Sequence, residues 1–187
     1  MNSVGTFTAS AVLLALSIPC ALAGPNGSMA IVEGAPAPNS YAGEIPQALE
    51  EWCEQICIPL VTLEMVDPQK TRPLGVLHTW GKEFNFGSTS LQFKEFIIYE
   101  LSGGQFYTVS QDGSQPTAAF IDQSLLPPKV GAVVLIGGTE GVVLPGTGKY
   151  ATAGGGYSTR LKLEADEFGN IVYYDELYFR FRELKLE

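Results

Sequence analysis

Histidine and cysteine are scarce in this sequence: one His, His78, and three Cys among 187 residues. Hydrolytic machinery of the Ser-His-Asp kind has a single imidazole to draw on, and no such set surrounds it in Val76-Leu77-His78-Thr79-Trp80. A closed metal site is equally short of ligands, because two thiolates and one imidazole do not complete a four-ligand shell. Cations are few as well. Lys and Arg total 11 against 20 Asp and Glu, for a formal charge of −9. That balance argues against nucleic acid as a partner, since affinity for nucleic acid comes largely from cations on phosphates. Long apolar runs are limited to Ala11–Cys20, too short for a membrane span of about 20 residues. No stable span is therefore expected once this segment is removed.

What is present begins with an address. The apolar run ends in Ala21-Leu22-Ala23 and is followed by Gly24-Pro25. Small residues at Ala21 and Ala23 fit a signal peptidase site, so residues 1–23 read as a secretory signal peptide and the chain is expected to be secreted or held in the secretory lumen. Residues 2–10 hold no Lys or Arg, which leaves the terminal amine as the positive charge. Cys20 departs with the signal. Cys53 and Cys57 remain, and a disulfide and a pair of buried thiols are both open. An oxidising compartment favours pairing, whereas the parallel side-chain vectors of an ideal helix oppose it. Asn26-Gly27-Ser28 is a glycosylation sequon.

Residues 24–43, rich in Gly, Pro, Ala, Asn and Ser, read as a flexible tether. Residues 44–187 then form one domain. An amphipathic helix is expected over 45–57: Pro46 suits the first turn, Leu49, Trp52, Cys53, Ile56 and Cys57 share a face, and Pro59 closes it. Strands follow at Leu60–Val66, Leu91–Leu101, Phe106–Ser110, Thr117–Ile121, Gly131–Gly138, Tyr157–Glu164 and Ile171–Leu184, joined by short turns. The expected fold class is mainly β, an eight-stranded antiparallel barrel, with a two-sheet sandwich as the alternative. Alternation turns Ile171, Tyr173, Asp175, Leu177, Phe179 and Phe181 to the drier face, with Tyr157, Thr159, Leu161 and Leu163 beside them. Arg160, Arg180 and Arg182 lie on the wet face, where a homo-oligomer contact would use them.

The most distinctive stretch is Gly146-Thr147-Gly148-Lys149-Tyr150-Ala151 followed by Gly154-Gly155-Gly156. A phosphate-loop reading fails, because Gly141 to Gly146 is followed by Thr147 rather than Lys and no helix pattern ensues. The stretch resembles the glycine-rich turn of the allene oxide cyclase and dirigent barrels, and the long C-terminal hairpin is similar to theirs. Glu140–Pro145 stands out as an added segment inside the motif. The resemblance implies an eight-stranded barrel open at one end. It further implies a cofactor-free cyclase, isomerase or stereocontrolling protein acting on a hydrophobic metabolite in the lumen. It maps a first-strand acid to Glu64, although alternation puts Val61, Leu63, Met65 and Asp67 on the drier face and Glu64 outside.

Asp175 is the foremost catalytic candidate, as a carboxyl among Tyr173, Leu177 and Phe179 must be paired, hydrogen-bonded or shifted toward its neutral form. A neutral acid there is a proton donor to a small substrate. Glu64 and Tyr173 complete the catalytic set. Tyr157, Tyr107, Tyr99, Asp67, Phe179 and His78 are the expected ligand-lining residues, since rings with polar tips suit an apolar ligand bearing a few oxygens. For His78 a hydrogen-bonded strand histidine is the competing role. A lipid or metabolite carrier without turnover is the alternative function, because binding and cyclisation use the same pocket.

Overall fold

The structure is a computed structural model that describes residues 27–54, 56–87, 90–110, 117–120, 133–165, 168 and 170–182. Residues 1–23, read above as a signal peptide, and Asn26 lie outside the described residues.

Among the described residues, eleven strands and one α-helix follow in chain order. They are β1 (Gly27–Gly34), β2 (Ala37–Pro38), α1 (Gln47–Cys53), β3 (Ile58–Val66), β4 (Pro73–Phe86), β5 (Ser90–Leu101) and β6 (Gly104–Ser110). After these come β7 (Thr117–Phe120), β8 (Val133–Gly138), β9 (Glu140–Leu144), β10 (Gly155–Ala165) and β11 (Ile171–Phe181). All pairings are antiparallel, and they close a barrel of eight staves. Two staves are each made of two strands. β6 and β7 lie in turn along β5, at Phe96–Leu101 and Ser90–Gln92. β9 and β8 lie in turn along β10, at Gly155–Ser158 and Leu161–Glu164. The ring runs β11, β1, β3, β4, β5, β6 with β7, β9 with β8, β10, and back to β11. Closure leaves no open edge among these staves.

This ring corrects one expectation and gives a second segment its place. Residues 27–34, read as tether, form the stave between β11 and β3, pairing Gly27–Gly34 with Tyr173–Arg180. Met29-Ala30-Ile31-Val32 is too short an apolar run to stand out locally, yet Ala30 and Val32 are wholly buried in the barrel. Glu140–Pro145, which stands out in the sequence as an added segment inside the motif, contributes to the barrel wall. Glu140–Leu144 is β9, and it keeps the register that β8 has on β10. Only Thr139 interrupts the stave, and its backbone stays in the ladder: Thr159 N–H donates to Thr139 O at 2.9 Å.

Alternation sets the core. One face of each stave supplies the barrel interior: Ala30, Val32, Leu63, Met65, Leu77, Ile97, Tyr99, Phe106, Val143, Tyr157, Leu177, Phe179 and Phe181. The end where β5 turns into β6 is filled with rings. Phe106 stacks on Tyr99 at 4.5 Å between centroids, and meets Phe179, Phe181 and Tyr150 at 5.3–5.4 Å. The glycine-rich turn builds this closed end. Thr147 N–H donates to Gln105 O and Lys149 N–H to Gly103 O, folding the turn across the β5–β6 hairpin and delivering Tyr150 to the core. Gly148 has φ +57°, and a Cβ there would stand 2.1 Å from Gly103 O. Close backbone approach therefore demands glycine.

Helix α1 packs on the outside of the barrel. Leu49 and Trp52 cover Trp80, Phe96, Ile98 and Tyr107 on the outer face of β4–β6. The helix is shorter than the 45–57 expected from periodicity. Glu54 adopts φ +54°, and Cys53 and Cys57 are joined as a disulfide with Cα atoms 5.2 Å apart. The chain leaves the helix so that the two Cβ vectors can converge. Ile56 is carried out of the expected apolar face and is exposed.

Candidate functional site

Strand β11 turns Tyr173, Asp175, Leu177, Phe179 and Phe181 into the barrel. The register then fixes the neighbours of Asp175 as Leu161 on β10 and Val32 on β1. Both are aliphatic, so neither flank offers the carboxyl a partner. Its Oδ1 is buried and unbonded among the described residues. Burial pushes Asp175 well above the usual carboxylate range. The nearby charge of Glu95 adds to the rise, and the backbone N–H groups of Arg160 and Glu176 oppose it. The shift favours the neutral form of Asp175, which can donate a hydrogen bond.

Glu95 is the second interior acid. It shares the inward face of β5 with Ile97 and Tyr99, whereas Phe96 and Ile98 point out to the helix. Gly81 lies opposite it on β4, and the Phe84 ring and Leu60 fill the space over that glycine. Ser110 Oγ accepts the Glu95 N–H at 2.9 Å. Burial raises Glu95 to about 7. Glu95, Tyr173 and Asp175 are surrounded by protein, yet each retains part of its accessible surface. This partial exposure distinguishes them from the fully buried rings of the other end. The sequence signal for Glu95 was parity alone: Lys94-Glu95 reads as a solvated charge pair, and only Ile97 and Tyr99 on the same face mark Glu95 as inward.

Three tyrosines surround the acids. Tyr99, Tyr157 and Tyr173 are each raised by burial first, Tyr173 to about 12, and each also feels the charges of Glu95 and Asp175. Tyr99 Oη accepts the Thr108 hydroxyl at 3.3 Å. Tyr157 Oη is buried and has no close hydrogen-bond partner among the described residues, although the Thr108 and Thr139 hydroxyls act against the rise in its pKa. Phe179 faces inward beside Tyr157, its cross-strand partner. The sequence therefore placed Asp175, Tyr173, Tyr157, Tyr99 and Phe179 on the shared interior face.

Four candidates fall outside that interior. Glu64 is exposed on the outer face of β3, as alternation requires for the neighbour of inward Leu63 and Met65. Asp67 shapes the β3–β4 turn instead of lining a pocket. Its carboxylate accepts Thr71 N–H at 2.7 Å, the Thr71 hydroxyl at 2.9 Å and Arg72 N–H at 3.3 Å. The Thr71 amide leads the effects that hold its pKa below the usual value. Tyr107 lies outside the barrel with Trp80 and Ile98, because Phe106 and Thr108 take the inward positions. It borders an outer cleft of about 550 Å³ with Tyr41, Pro46, Glu100 and Gln105. His78 also points outward. It is buried under Tyr41, with Nδ1 2.9 Å from Thr62 Oγ1 and Nε2 3.0 Å from Glu100 Oε2. These partners satisfy both ring nitrogens, as expected of a strand histidine.

Among the described residues no group of three or more His, Cys, Asp and Glu could hold a metal ion. Comparison with known proteins found no matching family model, curated protein or solved structure.

Proposed function

We propose that this barrel takes up a small hydrophobic molecule bearing one or two oxygens and isomerises or cyclises it by proton transfer at Asp175. The reading makes it a secreted, cofactor-free enzyme of the allene oxide cyclase or dirigent kind. The observation that carries it is the orphaned Oδ1 of Asp175 in an aliphatic setting. A buried polar atom without a partner costs about 1–3 kcal/mol. Such an atom is what a ligand oxygen would satisfy. Excluding water from the rest of the lumen strengthens that interaction and holds a reactive ligand in one shape.

The test is a comparison of wild type with Asp175→Asn. Each is given a reactive epoxide or polyene, and rate and product distribution are measured beside the uptake of an apolar fluorescent dye. Asp175→Asn should keep dye uptake and lose rate and product bias. Unchanged rate and products would remove Asp175 from the chemistry. Dye uptake without any turnover in wild type would leave a carrier.

A further inference from the structure

The outer face of β5 and β6 carries a second group of polar side chains, apart from the barrel interior. Register pairs Glu100 with Gln105 and Ile98 with Tyr107, so Glu100 and Tyr107 are diagonal neighbours on one face. Both line the outer cleft of about 550 Å³, whose other side is formed by Tyr41 and residues 43–47. Tyr41 Oη ties that side down: it donates to Glu44 O at 3.0 Å and accepts from Gln105 Nε2 at 3.4 Å. The Tyr107 ring packs on Phe96, and the residue is only 5% exposed. Its hydroxyl nevertheless has no hydrogen-bond partner among the described residues. Burial first, then the Tyr41 phenol, raise its pKa and keep it a neutral hydroxyl.

Glu100 is the fixed charge of the cleft. Gln105 Nε2 donates to its Oε1 at 2.7 Å, and His78 Nε2 lies 3.0 Å from its Oε2. The partners behind His78 place the ring proton. Ser40 N–H and Ser40 Oγ donate to Thr62 Oγ1 at 2.9 and 3.3 Å, which leaves the Thr62 hydroxyl to donate to His78 Nδ1 at 2.9 Å. Nε2 then carries the proton and directs it at Glu100. A neutral ring orients the carboxylate without cancelling its charge, and the Glu100 side chain stays 40% exposed. Glu44 adds a second acid, and no Lys or Arg lines the cleft among the described residues. The described acids do not gather into a metal-holding set. Ile45, Pro46 and Leu101 supply apolar surface beside the charge.

We propose that this cleft binds a primary organic ammonium with an apolar body, its N–H groups donating to Glu100 and to Tyr107 Oη. An ammonium brings three donors and no acceptor. The remaining lone pairs of Glu100 offer it charge-assisted bonds, the strong kind, and the Tyr107 oxygen offers it a partner that the chain itself leaves unused. The apolar side chains cover its body.

The probe is phenethylammonium at neutral pH, with phenethyl alcohol as its neutral counterpart of the same shape, each titrated calorimetrically into the protein. Wild type should bind the ammonium about tenfold more tightly than the alcohol, as expected for one partly exposed charge-assisted hydrogen bond. The preference should shrink as salt is added. Glu100→Gln keeps an acceptor for His78 Nε2 and should abolish the preference. Tyr107→Phe deletes a hydroxyl without an internal partner, so the fold is retained while ammonium binding weakens roughly two- to tenfold. Glu140→Gln, at an exposed acid of β9 that does not line the cleft, should change neither affinity. Equal binding of the two probes, a preference retained in Glu100→Gln, full affinity in Tyr107→Phe, or no saturable ammonium binding below about 10 mM would each overturn this site. None of these results bears on the lumen reading, since Asp175 lies inside the barrel and the cleft outside it.

Discussion

Replacing Glu95 by glutamine should make the protein more stable at neutral and alkaline pH. The physical cause is the burial that raises Glu95 from 4.5 to about 7. One pKa unit corresponds to 1.36 kcal/mol, so the shift amounts to about 3 kcal/mol between the protonated and ionised limits. The sign follows from linkage. The folded acid holds its proton more tightly than the unfolded one. Its favourable contribution is complete below the unfolded pKa near 4.5 and is lost as pH rises through 7. Glutamine keeps the shape and cannot ionise. Urea unfolding of both proteins from about pH 4 to pH 8.5 gives the difference directly, and the shared contributions of the surface acids cancel. The difference should open with pH by about 1 kcal/mol per unit between 4.5 and 7 and level off above. Asp175 shares the site, and loss of the Glu95 charge removes one of the effects that raise it. Wild-type titration should therefore be broader than that of a lone acid. A flat difference across this range would refute the placement of Glu95 in a desolvated interior.

Three further outcomes probe other parts of the molecule. Reducing the Cys53–Cys57 disulfide, or replacing both cysteines by serine, should lower stability by about 2 kcal/mol, the chain-entropy value for so short a loop; an unchanged urea midpoint would show that the loop is ordered without it. Gly148→Ala must place a Cβ against Gly103 O at a positive φ, and should lower stability by roughly 1–3 kcal/mol and loosen the ring-packed end, read from near-ultraviolet circular dichroism. His78→Ala removes the ring that bridges Thr62 and Glu100, which keep Ser40 and Gln105 as partners, and should lower Tm, as expected for a loss of about 1 kcal/mol, yet leave dye uptake by the lumen intact; a parallel loss of uptake would place His78 in the ligand path.

The sequence alone determined strands at β3, β5–β8, β10 and β11, the inward faces of β3 and of the last hairpin, and the place of Asp175 beside Tyr173, Leu177 and Phe179 on one of them. Alternation is a local property and survives without knowledge of partners. It also put Glu64 outside, and the resemblance that argued otherwise had no physical support from that strand. Other features were decided by closure. Residues 27–34 carry a weak strand signal, and they become a stave because β11 and β3 each need an antiparallel neighbour. Tyr107 and His78 sit on strands of the expected kind, but two apolar faces compete there. The docking of α1, Trp52 and Tyr41 on the outside is what buries the second one. Glu95 belongs to the same class: its parity was readable, while its desolvation comes from Asp175, the tyrosines and the far wall of the barrel. A strand specifies which residues lie together on a face. Only the closed barrel decides what that face meets, and with it which acids lose water and become chemically useful.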